Sequence, residues 1–346
     1  MSRLTRAGLA RAVVVFGALA AFPFVFPAQW IVNIAIFTLM YAGLATAWNL
    51  LGGFSGYLSL GHAAFFGVGA YAIAIAFTHI GIGRSGYGPF YALPLVGIGV
   101  ALASLPIAWI ALRVRAATFA IVTLTLLFVV QQLAFNLHHL THGSQGLTLP
   151  APPFDVSTFE QPFYFAMLGV FALALFACWW VRGSKLGLML LSIRDDEDRS
   201  RGVGVRVTSA KVIAFAASVG FTGMIGAVWA YYIQFIYPQF AVDPLITIGA
   251  VLMAFLGGKG TVWGPTLGAF ILVPIQQYMA YKLGASELYL IGYASVFLLI
   301  MLFLPRGIIP SINDRLAARR GGRTADPPGS PVATTSAATL PGGMAP

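Results

Sequence analysis

Long apolar runs, each near the length of a membrane crossing, dominate this chain and decide what it can become. The runs are Leu9–Ala28, Trp30–Leu51, Leu58–Ile80, Pro89–Leu112, Thr118–Leu137, Phe163–Val181, Val212–Tyr237, Leu245–Leu256, Trp263–Tyr281 and Leu288–Leu304. About 20 apolar residues in a helix cover the hydrocarbon core of a bilayer. The spacing therefore predicts an all-α polytopic membrane protein with about ten transmembrane or re-entrant helices. Leu245–Leu256 is short and ends in Gly257-Gly258, so it reads as a full crossing or as a broken, re-entrant element. Parity of the termini favours the full crossing. The first run lacks a small-residue cleavage site and reads as a retained helix, not a signal peptide.

Composition agrees. Of 346 residues, 59% are hydrophobic and only 9% charged, too few charges to cover a soluble surface of this size. The net charge of +10 is therefore a topology signal, not a nucleic-acid footprint. Basic residues stay on the cytoplasmic side. Arg3, Arg6 and Arg11 mark the N-terminus as inside, as do Arg113 and Arg115 for the turn that follows Leu112. Arg182, Lys185, Arg194, Arg199, Arg201, Arg206 and Lys211 mark the segment 183–211, and Arg306, Arg315, Arg319, Arg320 and Arg323 mark the C-terminal end. The stretch His138–Gln161 carries no lysine or arginine and is expected outside; Arg84, on an outer turn, is the one exception. Both termini are thus expected in the cytoplasm. The chain divides into an N-terminal segment with the first helix (1–29), a core (30–310) containing the cytoplasmic loop 183–211, and a disordered cytoplasmic tail (311–346) rich in Pro, Gly, Ala, Thr and Ser.

Several chemistries are missing. The acidic residues Asp155, Glu160, Asp195, Asp196, Glu197, Asp198, Asp243, Glu287, Asp314 and Asp326 all fall in loops, in the tail or at helix ends. Ion- and proton-coupled carriers place such groups at membrane depth. The string Gly257-Gly258-Lys259-Gly260-Thr261 has the wrong spacing for a phosphate-cradling loop and reads as a tight cytoplasmic turn. Serine-hydrolase, zinc-protease and paired-cysteine signatures are absent, and Cys178 sits inside an apolar run as a small buried hydrophobe. His138, His139 and His142 read as a polar outer loop in preference to a metal site. No catalytic residue, metal or cofactor is expected in this chain. Energy for uphill movement has to come from another subunit.

Two stretches carry mechanism. Gly52 to Tyr71 is rich in glycine; Gly61, Gly69 and neighbouring alanines permit close helix approach. Ser59 and His62 are polar groups entering an apolar segment, so they either hydrogen-bond to a neighbouring helix or line a wet path. A weak echo follows at Gly257, Gly258, Thr261, Gly264 and Pro265, which suggests paired broken elements flanking one translocation path. The second stretch, Ser192–Val205, reads as a short charged helix. Ser192 is its expected N-cap, Asp195, Asp196 and Glu197 lie in its first turns, and Gly202 or Gly204 ends it. It reads as a docking helix for a cytoplasmic partner.

At these residues the chain resembles the branched-chain amino-acid permeases of ATP-binding-cassette importers, specifically the LivM-like subunit. The resemblance runs from about Trp30 to Ile309. It rests on GYLSLGHAAFFGVGAY (Gly56–Tyr71), SIRDDE (Ser192–Glu197) followed by GVGV, KVIAFAASVGFTGMIGAVWA (Lys211–Ala230), GGKGTVWGPTLGA (Gly257–Ala269) and LFLPRGI (Leu302–Ile308). After Glu197 the family usually has small residues; this chain has Asp198-Arg199-Ser200-Arg201. The resemblance implies a bacterial inner-membrane permease that pairs with a second, homologous permease. Two cytoplasmic ATPase subunits would use ATP and Mg, and a periplasmic or extracellular solute-binding protein would deliver the solute. It also implies that Arg194–Gly204 is the coupling segment. The family handles leucine, isoleucine and valine, while relatives take urea, amides, other amino acids or small carboxylates. Rival readings are an ion-independent channel or carrier, and an intramembrane lipid enzyme.

Overall fold

A computed structural model of the chain describes residues 2–80 and 86–283 together with 294, 295, 298, 302 and 307–312. The expected span Leu288–Leu304, Arg84 and the tail beyond 312 lie outside these residues, apart from a few isolated positions. The described chain is helical almost throughout. In order it forms α1 (Ser2–Val25), α2 (Gln29–Ser55), α3 (His62–Ile80), α4 (Gly88–Ala111), α5 (Ala116–Asn136), α6 (His138–Thr141), β1 (Leu147–Thr148), α7 (Glu160–Gly183), α8 (Lys185–Asp195), α9 (Glu197–Gly202), α10 (Val207–Ile233), β2 (Phe235–Ile236), α11 (Pro238–Ala241), α12 (Pro244–Gly257) and α13 (Gly264–Leu283). The strands form one antiparallel pair, Leu147 opposite Ile236.

Six described segments are long and apolar enough to cross a membrane: α2, α4, α5, α7, α10 and Pro238–Gly257. Val14–Val25 and His62–Phe77 are shorter apolar stretches. Burial sorts the spans. The most apolar window of α10 is 72% buried and that of α2 61%, against 28% in α4 and 22% in α5. So α2 and α10 form the centre, with α3, α4, α7, α12 and α13 packed on them. The outer helices present Tyr91, Leu95, Ile98, Leu102, Ile110 and Ile121 outward, as helices whose solvent is lipid do.

One expected element is corrected and a second is resolved into two helices. The run Leu58–Ile80 is not helical from its start: the chain leaves α2 at Gly56 (φ 76°), runs without regular structure to Gly61, and resumes as α3 at His62. Leu245–Leu256 is preceded by the separate turn α11, with the break at Val242–Asp243, and Asp243 caps α12 by accepting from the Leu245 amide. The 14 residues of α12 rise about 21 Å, so the single helix alone falls short of a ~30 Å core.

Glycines set the helix spacing. A Cβ on Gly69 would stand 2.0 Å from the Gly223 carbonyl oxygen, and one on Gly226 2.1 Å from that of Phe66. Backbones of α3 and α10 therefore touch directly, as small residues allow in membranes. Gly69→Ala should lower the thermal midpoint of the purified protein by several degrees, measured by fluorescence-detected size exclusion. Gly99→Ala, whose Cβ meets nothing within 4 Å, should leave it unchanged.

Candidate functional site

The polar residues of the core gather in two places. The first is the break between α2 and α3. Non-helical backbone is tolerated at membrane depth only where protein satisfies its polar groups. Here side chains from three different helices do so. The Trp48 indole of α2 donates to the Ser59 carbonyl at 2.9 Å. The Leu60 amide donates to Thr123 Oγ1 of α5 at 3.0 Å, and the Ala63 amide to Thr247 Oγ1 of α12 at 2.7 Å. His62 bridges Ser59 Oγ (Nδ1, 3.0 Å) and Ser218 Oγ of α10 (Nε2, 2.7 Å). Ser218 in turn donates to the Ala47 carbonyl at 2.6 Å. Ser59, Gly61 and His62 are all buried, and a Cβ on Gly61 would stand 2.5 Å from the Thr123 carbonyl oxygen. Of the two sequence readings for Ser59 and His62, the geometry shown is the hydrogen-bonded one.

The second place is where α2, α7 and α8 end against the α12–α13 turn. Gly258 (φ 117°) and Gly260 (φ 78°) take conformations that side chains disfavour, which lets the turn close tightly. Thr261 ties it: its hydroxyl donates to Gly258 O at 2.7 Å and accepts from Gly264 N at 3.0 Å. A Cβ on Gly257 would stand 1.6 Å from the Gly264 carbonyl oxygen, so α12 and α13 meet backbone to backbone here; Pro265 is buried in the first turn of α13. Asn49 of α2 grips the turn, accepting from Gly260 N and donating to Thr261 O, each at 2.8 Å. Arg182 donates to Gly260 O at 2.7 Å, and Arg194 donates to Gly53 O at 3.1 Å. The two glycine strings matched in the sequence thus lie against each other: a Cβ on Gly53 would stand 2.7 Å from Gly260 N.

The charged segment is two helices, which corrects the single helix capped by Ser192. Ser192 lies inside α8, with its hydroxyl turned back to Met189 O at 2.8 Å. Ser184 caps α8, and Asp196 caps α9 by accepting from Arg199 N at 3.0 Å. Asp195 closes α8 and is exposed. Gly202 ends α9, and Gly204 follows with φ 86°; both are exposed. Glu197 points inward. It receives hydrogen bonds from Tyr57 Oη on Oε2 and from Lys211 Nζ on Oε1 (3.0 Å), and Arg201 pairs with it at 2.9 Å. Lys211 Nζ also donates to Tyr57 Oη at 2.8 Å. Burial opposes ionisation of Glu197 and is the largest effect on it. The hydrogen bonds from Tyr57 and Lys211 and the charges of Lys211 and Arg201 together outweigh it and hold the carboxyl below its ordinary value.

Sequence reasoning missed Asn49, Tyr57, Thr123, Lys211, Ser218 and Thr247. A polar side chain inside an apolar run was the available signal for Asn49, Thr123, Ser218 and Thr247. Lys211 was counted among loop charges, yet its side chain is only 1% exposed.

Residues 30–305 match the family described as branched-chain amino acid transport system / permease component. The chain belongs to that family. It is 28% identical over 319 residues to the high-affinity branched-chain amino acid transport system permease protein LivM of Salmonella typhimurium, covering 84% of this chain and 72% of that protein. It is 27% identical over 319 residues to the Escherichia coli LivM. The autoinducer 2 import system permease protein LsrC of Salmonella typhi is 31% identical over 111 residues, 31% of this chain and 32% of that one. No solved structure matches the chain. These relatives are transport permeases, and this permease is a multi-pass inner-membrane protein.

Removing one member of the Glu197–Lys211 pair leaves the other charge stranded. Glu197→Gln should destabilise the permease by about 2 kcal/mol, discounted from the ~3–5 kcal/mol of a fully buried pair because the Glu197 side chain is 25% exposed. Adding Lys211→Met should recover part of that loss, read as a double-mutant cycle in thermal midpoints. The folded carboxyl titrates lower than the unfolded one. Its contribution is therefore complete above the ordinary carboxylate range and lost as pH falls through the folded value. Glu197→Gln should flatten that acid limb of stability against pH.

Proposed function

We propose that this permease is the passive gate of an ATP-driven importer for a branched-chain amino acid or a related small solute. In this reading the chain crosses the membrane ten times with both termini inside. It pairs with a second, homologous permease and receives solute from an external binding protein. Two cytoplasmic ATPases dock on α8 and α9, through Arg194–Gly204. The chain holds no cofactor; ATP and Mg belong to the ATPases.

One observation carries the reading. The charged helices α8 and α9, together with Arg182 at the end of α7, are bound through polar contacts to both broken elements. Arg194 holds Gly53 at the end of α2, and Glu197 holds Tyr57 in the α2–α3 break and Lys211 at the start of α10. Arg182, at the end of the helix before α8, holds the α12–α13 turn. A push on α9 therefore moves Tyr57 and α10 together, while α8 pulls on α2. The elements carrying Ser59, Gly61 and His62 and those carrying Gly257, Gly258, Thr261, Gly264 and Pro265 are displaced against each other. Their displacement opens the translocation path alternately to the two sides. Glycine contacts favour such sliding, because few interlocking side chains stand between the backbones. LivM relatives named for branched-chain amino acid transport support that solute class; urea, amides and other small polar solutes remain the alternative, and the segment shared with LsrC supports a scaffold used for more than one cargo.

The test is reconstitution with both ATPases, the second permease and the binding protein. Arg194→Ala combined with Glu197→Ala should cut concentrative uptake at least tenfold and abolish stimulation of ATP hydrolysis by loaded binding protein. Uptake at the wild-type level would disprove docking through these residues. Alone in vesicles, the chain should accumulate no solute; accumulation there would disprove the dependence on a separate motor.

A further inference from the structure

At the ends of α2 and α7 opposite the Arg182–Arg194 cluster lies a polar cavity of about 380 Å³, lined by Gln29, Trp30, Asn33, Glu160, Gln277 and Tyr281 with Ile34 and Ala280. Its size suits a small solute. The carboxylate of Glu160 is half satisfied. Oε1 accepts from Tyr232 Oη at 3.3 Å, and Tyr232 accepts from Asn33 Nδ2 at 2.5 Å. Oε2 is buried and has no hydrogen-bond partner among the described residues. No arginine, lysine or histidine is among the described residues lining the cavity. A buried acceptor without a donor is unfavourable and is rare in native proteins, so it marks a place where something binds. The Trp30 and Tyr281 rings stack at the cavity, 6.2 Å between centroids and 13° between planes. Their faces favour a cation.

We propose that this cavity binds the ammonium group of the transported solute, with the carboxylate of Glu160 as its acceptor and Trp30 and Tyr281 as its aromatic wall. A carboxylate beside two ring faces selects a hydrogen-bonding organic cation. A lone carboxylate with neutral amides is too few ligands for a hard metal ion. The proposal deepens the import reading, which it uses for the direction of entry but not for binding itself. Under that reading the cavity faces outward and is the first site met by solute released from the binding protein.

The test needs no ATPase, so its failure is separable from failure of the import reading. The full chain in lipid nanodiscs is titrated by ligand-observed NMR with three probes: L-leucine, 3-methylbutylamine and 4-methylpentanoate. The two amines should bind and the acid should not. Glu160→Gln should weaken amine binding at least tenfold. Its thermal midpoint should stay the same or rise, because the variant removes an unpaired buried charge and is nearly isosteric. Trp30→Ala should weaken amine binding about two- to fivefold. The proposal is overturned if no probe binds, if the acid binds as well as the amines, or if Glu160→Gln leaves amine affinity within twofold. Loss of thermal stability together with binding in Glu160→Gln would assign Glu160 a structural role and overturn it as well.

Discussion

The stretch from Gly56 to Gly61 must hide its peptide groups from an apolar surrounding, and the rest of the core is arranged to let it. A helix satisfies its own backbone, whereas this segment cannot. Trp48, Thr123 and Thr247 each satisfy one of its groups or the start of α3, and each comes from a different helix. The His62–Ser218–Ala47 chain adds α10 and closes the ring back to α2. Ser59, His62, Thr123, Ser218 and Thr247, all buried polar side chains, are therefore accounted for by one local requirement. The arrangement also makes the break a hub, because movement of α5, α10 or α12 alters a hydrogen bond to the same short segment.

The links from α9 reach that hub by a different route. Tyr57 belongs to the broken stretch, and its hydroxyl lies between Glu197 and Lys211. Three charged or polar groups so close in a weakly polarisable surrounding resist separation. The link is rigid where α9 meets the break. By contrast, α12 meets α13 through glycine backbones at Gly257, Gly264 and Gly268, with a Cβ on Gly268 only 1.9 Å from the Met253 carbonyl oxygen.

Hydropathy read most spans to within a few residues. Pro89–Leu112 became Gly88–Ala111 and Thr118–Leu137 became Ala116–Asn136, because each helix is bounded by a local change in polarity. The α2–α3 break escaped because Leu58 and Leu60 are as apolar as any helix; two of the side chains that satisfy its backbone, Thr123 and Thr247, lie 63 and 184 positions from the amides they accept from. Ser192 failed as a cap for a local reason. A serine inside a helix bonds back to its own preceding turn, and Asp196 sits where the backbone opens to φ −160° and frees an amide three residues on. Lys211 looked like a topology charge because its burial depends on Glu197 from another helix. Asn49 was missed because its partners are backbone groups of a turn more than 200 residues distant.

Glu160 and Glu197 show how identical side chains acquire different standing. Both sit at the first residue of a helix, where the dipole favours their charge. Glu197 meets a lysine, an arginine and a tyrosine, so every part of its charge is answered from within the chain. Glu160 meets one tyrosine already engaged with Asn33, and one oxygen faces no donor. An answered charge holds two elements together, and loss of either partner weakens the fold. An unanswered one weakens the fold as it stands, so its presence is explained by a donor that arrives from outside. The two carboxylates lie at opposite ends of the bundle, Glu160 at the start of α7 and Glu197 beyond its far end.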